Sequence, residues 1–183
     1  MKSLAGKFLV ASPHLKDPNF ARTVVLMLRH NEDGALGVVL NRPGDKTVRE
    51  VWELIDAAEV DCDDDMYLGG PVPGPLIAIH DQPDLADEEV LPGVFMSMQR
   101  DPIDALVRTP SAEFRLFSGH SGWGGGQLEG ELELGGWLVD SASAEEVFGD
   151  FESLWRNVCK RIGRNIAAPG INPEAIPEDP ELN

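Results

Sequence analysis

Cysteine, basic residues and long apolar runs are all scarce in this chain. Its two cysteines, Cys62 and Cys159, stand far apart and form no CxxC pair, which excludes a zinc knuckle and a thioredoxin-like motif. With no export signal, both are expected to be free thiols in a reducing compartment. No apolar run approaches the roughly 20 residues that span a bilayer. Lys7 interrupts the first apolar stretch, so no secretory h-region is expected there either. The expected location is cytoplasmic, away from membranes. Fifteen basic residues face thirty-two acidic ones, a formal charge of −17, and such a chain repels polyanions unless it gathers its cations on one face. Arg156, Lys160, Arg161 and Arg164 come nearest to that, but the last turns of a helix favour cations for the sake of its dipole. The expected partner is therefore a protein or a small molecule, not a nucleic acid. The four histidines, His14, His30, His80 and His120, show no HxxxH or HExxH spacing, and no metal or cofactor is expected.

At 183 residues with 42% hydrophobic and 26% charged side chains, the chain has the size and composition of one globular domain. Aliphatic runs broken by turn residues predict strands at 7–11, 24–30 and 35–40, the last two joined by the turn Asn31-Glu32-Asp33-Gly34. Asn41-Arg42-Pro43 is expected to end that hairpin. Thr47 and Glu50 have capping-box spacing ahead of Val48, Val51, Trp52 and Ile55, which predicts a helix. Further strands are expected at 66–68, 76–80, 94–97, 114–117 and 137–139, with a short helix from Asp101-Pro102 to Val107. Ser143 and Glu146 form a second capping box. It opens one long helix whose stripe of Val147, Phe148, Phe151, Leu154, Trp155, Val158, Cys159 and Ile162 faces the core. Four prolines at 169, 173, 177 and 180, with acidic residues between them, leave little to pack. The chain thus divides into a domain at 1–166 and a Pro-rich acidic tail at 167–183.

Three motifs invite chemistry, and each fails a physical test. Gly119-His120-Ser121-Gly122-Trp123 resembles a nucleophile elbow, but Trp123 stands where the second outer glycine must allow the sharp turn. Asp61, Asp63 and Asp65 have the first ligand offsets of an EF-hand, yet Met66 replaces the turn glycine and Val72 the bidentate glutamate. The glycine-dense stretch 119–130 matches neither a dinucleotide nor a P-loop fingerprint. It either folds Trp123 into the core or presents amides to an anion at a short helix start near Gln127. A hydrolase would need Glu129, His80 or His120 to converge there as a general base.

The stretches GKFLVASPHLKDPNFARTVVLMLRH at 6–30, GALGVVLNRP at 34–43, LGGPV at 68–72 and GWGGGQLEGEL at 122–132, then Gly136-Trp137-Leu138, resemble the AlgH/YqgE family of small bacterial proteins. Leu154-Trp155-Arg156 and Asp179-Pro180 extend the similarity across nearly the whole chain. The resemblance implies an α+β fold in which a branching, mostly antiparallel sheet curls into a pseudo-barrel with helices packed outside. His120 and Ser121 depart from the aromatic and alanine that members commonly carry, so a serine mechanism is not a shared activity. Such proteins bear the label transcriptional regulator. No helix-turn-helix is evident here, and regulation through a protein or small ligand is the expectation, without enzymatic activity. The matching polar positions singled out as candidate ligand contacts are Arg22, Asn41, Arg42, His80, Gln127 and Glu129.

Overall fold

The computed structural model describes residues 2–55 and 59–167. In chain order the elements are β1 (Lys7–Ala11), β2 (Val24–Asn31), β3 (Gly34–Val39), β4 (Pro43–Thr47), α1 (Val48–Leu54), β5 (Asp65–Leu68), β6 (Ile77–His80) and β7 (Glu88–Leu91). They continue with β8 (Val94–Ser97), α2 (Arg100–Val107), β9 (Phe114–Ser118), β10 (Ser121–Gly124), α3 (Gln127–Glu133), β11 (Trp137–Ser141), α4 (Ala144–Phe148) and α5 (Phe151–Ala167). The fold is α+β and mostly antiparallel, as expected. Its strands form a five-stranded sheet, β10-β3-β2-β1-β11, and a six-stranded sheet, β4-β5-β9-β6-β8-β7, in which only the β5–β9 pair is parallel. The two sheets do not close into a barrel.

Apolar side chains dictate the layering. Val24 to Leu28 on β2 are buried without a break, because both faces of the first sheet are covered and alternation is not needed. One face places Phe8, Leu26, Leu28 and Val38 against Ile77, Ile79, Met96 and Phe117 of the second sheet, with Leu154 and Val158 of α5 closing the same core. The opposite face of the first sheet carries Leu9, Val25, Met27 and Val39 under Leu128 of α3 and Phe20 of the β1–β2 connection. The far face of the second sheet is covered by Trp52 of α1 and by Ile103 and Leu106 of α2. Each such buried side chain stabilises the fold by about 1.5–3 kcal/mol relative to exposure.

The hairpin ends before Pro43 as expected, and Pro43 then opens β4 at the edge of the other sheet, a place where its missing N–H costs nothing. Three expectations need correction. Gly122 and its neighbours are not a loop, since Ser121–Gly124 is an edge strand paired with β3. Gly34 is required by that pairing, because at φ 145° a Cβ would strike the Trp123 carbonyl oxygen. The short second helix starts at Arg100, two residues before the expected first position at Pro102, with Gln99 in place of Asp101 as cap. The long C-terminal helix is two helices. Gly149 leaves helical geometry and gives its carbonyl to buried Arg115, while Asp150 accepts from the amides of Glu152 and Ser153 and so caps α5 afresh. Thr47 forms the predicted reciprocal box with Glu50. Of the expected tail, Ala167 ends α5 and residues 168–183 lie outside those described.

Candidate functional site

The glycine-rich segment builds one wall of a cleft of about 590 Å³, whose other wall is the β1–β2 connection. Its floor is aromatic. Trp123 of β10 and Trp137 of β11 stand with ring centroids 5.9 Å apart, and Phe20 packs 6.0 Å from the first and 5.2 Å from the second. Opposite edge strands of one sheet thus converge under α3. The helix supplies Glu131, whose Oε2 accepts from Trp123 Nε1 at 3.0 Å and Trp137 Nε1 at 2.8 Å, while Oε1 accepts from Gln127 Nε2 at 3.0 Å. A carboxylate accepting several donors fixes both indoles in orientation, and charge assistance makes those bonds stronger than neutral ones. Gly126, at φ 78°, provides the left-handed turn that starts α3.

The facing wall comprises Ser12, His14, Lys16 and Asp17. Arg42 donates to the carbonyls of Asn19, at 2.5 Å, and Pro18, at 3.3 Å. Asn41 bridges the same segment to the sheet, with Oδ1 accepting from Val24 N and Nδ2 donating to Arg22 O, both at 2.9 Å. Arg22 itself is non-glycine at φ 58°, a left-handed conformation that costs about 1–2 kcal/mol. Arg22, Asn41 and Arg42 therefore hold the wall in place and do not line the cleft. Of the sequence candidates only Gln127 does, and its Oε1 also takes the Gly124 amide.

Glu129 and His80 lie elsewhere. Glu129 Oε1 is 2.9 Å from Nε2 of buried His30, whose Nδ1 accepts from Leu4 N at 3.0 Å. That acceptor role assigns the proton to Nε2, so His30 donates to the carboxylate. A hydrogen bond from its own backbone amide, and then His30, hold Glu129 below the usual carboxylate range. His80 is fully buried on β6; Gln82 N–H donates to Nδ1 at 3.2 Å, and Nε2 lies 3.0 Å from Ser97 Oγ. Ser97 spends its single proton on Leu85 O, so His80 must donate, and burial pushes its pKa down. The His120 ring rests near Gly74 and Gly122, and its buried Nδ1 has no hydrogen-bond partner among the described residues. None of Glu129, His80 and His120 lines the cleft, so the expected convergence of these three side chains there does not occur.

The remaining motifs are structural. Ser121 is buried and donates to Gly69 O at 3.0 Å. Asp61 and Asp63 both pair with Arg49 at 2.7 Å, and among the described residues no three His, Cys, Asp or Glu side chains are grouped to hold a metal ion. Arg161 is bound to Asp140 and Glu146, which leaves Arg156, Lys160 and Arg164 as the exposed members of the cationic stripe. Both cysteines are free thiols, and burial raises the pKa of each. Among the described residues no helix is long and apolar enough to cross a membrane. Glu131 escaped sequence reading: its i to i+4 spacing from Gln127 was visible, but its bonds to two strands were not.

These features define a class: a two-sheet α+β domain with an aromatic cleft under a short helix. The AlgH-like family model matches residues 8–167, and the chain belongs to that family. It is 40% identical to a UPF0301 protein of Myxococcus xanthus over 89% of this chain and 93% of that one. It is 38% identical to a UPF0301 protein of Chlorobaculum tepidum, covering 92% of each. The solution structure of the AlgH protein from Pseudomonas aeruginosa superimposes with a TM-score of 0.76 at 31% identity, covering 93% of this chain and 96% of that one. The crystal structure of protein DIP2367 from Corynebacterium diphtheriae gives 0.69 at 26% identity, covering 88% of each.

Proposed function

We propose that this protein is a non-enzymatic cytoplasmic regulator that binds a small molecule in the cleft between the β1–β2 connection and α3. The observation that carries this reading is the Trp123–Glu131–Trp137 arrangement. It places a preorganised aromatic surface in an open cleft within the 300–1,000 Å³ range of small-molecule sites. The left-handed Arg22 and the four hydrogen bonds made by Asn41 and Arg42 fix the position of the facing wall, which suits a preformed site. The −17 charge supports regulation through a ligand or protein in preference to DNA.

Native mass spectrometry of gently purified protein, followed by amide NMR with the small-molecule fraction of a cell extract, tests the reading. A retained adduct, or shifts confined to Gly122, Gln127, Gly135 and Gly136, is the expected result. Their absence at saturating extract defeats it. Duplex DNA should show no saturable binding at 50 mM salt; salt-steep binding lost on reversing Arg156 and Lys160 would favour a nucleic-acid regulator instead.

A further inference from the structure

The polar groups of the cleft are unevenly committed. On the helix side, Gln127 and Glu131 are engaged with each other, with both indoles and with the Gly124 amide. On the facing side, the Ser12 hydroxyl, the His14 imidazole and the Lys16 ammonium make no hydrogen bond or ion pair to any described residue. Asp17, the carboxylate of that wall, already accepts from the Asn19 amide through Oδ1. A ligand entering the cleft therefore meets, on one wall, three uncommitted donor side chains beside the single remaining oxygen of Asp17, and an apolar surface of Phe20, Trp123, Trp137, Leu15 and Pro71 around much of the rest. Basic side chains are scarce in this chain, with fifteen against thirty-two acidic ones, so an unpaired lysine beside an aromatic floor is not explained by a surplus of cations.

From this asymmetry, and resting on the cleft reading above, we infer that the ligand is a small anion with a planar apolar body, its acidic group on Lys16, His14 and Ser12 and its flat part against the aromatic wall. A charged hydrogen bond to an anion is stronger than a neutral one, while the apolar wall supplies contact area without a polar cost. A flat cation would instead face Lys16, find the Glu131 carboxylate already occupied by indole donors, and have only the second oxygen of Asp17 to meet it.

Two probes of one shape separate the possibilities: naphthalene-2-sulfonate and 2-naphthyltrimethylammonium, titrated into the full chain at 150 mM salt. Binding is read from the amides of Gly122, Gln127, Gly135 and Gly136, so that diffuse attraction of the cation to the acidic surface is not counted. The sulfonate is expected to shift these amides with one-site saturation. Lys16→Glu should weaken it about tenfold or more, the factor that corresponds to losing one charged hydrogen bond, and His14→Ala should weaken it less. Both substituted side chains are exposed, so folding is preserved. A cation that binds the cleft as tightly as the sulfonate, or sulfonate binding indifferent to Lys16→Glu, overturns the anion inference and leaves the cleft reading intact. No shift at the cleft amides with either probe overturns the anion inference, and the extract experiment then judges the cleft reading separately.

Discussion

Glu131→Ala removes the acceptor shared by two nearly buried indoles. Trp123 and Trp137 are 6% and 4% exposed, and their N–H groups reach Glu131 Oε2 at 3.0 and 2.8 Å. An unsatisfied buried donor costs about 1–3 kcal/mol. Water entering from the cleft relieves part of this, so the pair should lose about 2–4 kcal/mol. In a domain of this size each kcal/mol moves Tm by roughly 2–4 °C, which predicts a fall of about 5–15 °C. Glu131→Gln keeps an acceptor and loses only charge assistance, for a cost of about 1 kcal/mol. Glu133→Ala lies on the same helix with an exposed side chain and should stay within about 0.5 kcal/mol of the parent. Urea unfolding followed by tryptophan emission measures all three variants. If Glu131→Ala falls within about 0.5 kcal/mol of Glu133→Ala, the carboxylate does not organise the cleft, and the functional reading loses its support.

Asn41→Ala strips the acceptor from the Val24 amide and the donor from Arg22 O, and should cost about 1–3 kcal/mol; Asn41→Asp retains the Val24 bond and should cost less, by the same urea assay. Gly34→Ala puts a Cβ against the Trp123 carbonyl at a backbone angle that side chains rarely adopt; a loss of at least about 2 kcal/mol is expected, and a neutral result would show that β10 is not held to β3 as described. His80 resists protonation in the fold because of burial. Its depressed pKa means that the unfolded chain takes up the proton first, so stability falls as pH drops through the unfolded value of about 6.5 and levels off below the folded one. The imidazole proton NMR signal of His80 should titrate below histidine's ordinary 6.5; a midpoint at or above that value contradicts the assigned bonding.

The capping signal of Thr47 and Glu50, the β2–β3 hairpin and the apolar stripe of α5 could all be read from the chain, because each depends on neighbours within a few residues. The break at Gly149 could not, since it is stabilised by Arg115 reaching across from β9. Polarity together with the family resemblance singled out Arg22, Asn41 and Arg42. Whether they touch a ligand or brace a wall was decided by the bonds to Asn19, Pro18, Val24 and Arg22. His80 and Glu129 belonged to the same candidate list, yet folding put one on the second sheet and the other against His30. Local spacing and charge determined this protein's acidity and many of its strands and helices, but not the edge strands β4, β7 and β10. The cleft is a product of tertiary structure, because it exists only where two edge strands of one sheet bring Trp123 and Trp137 to a single carboxylate on the helix between them.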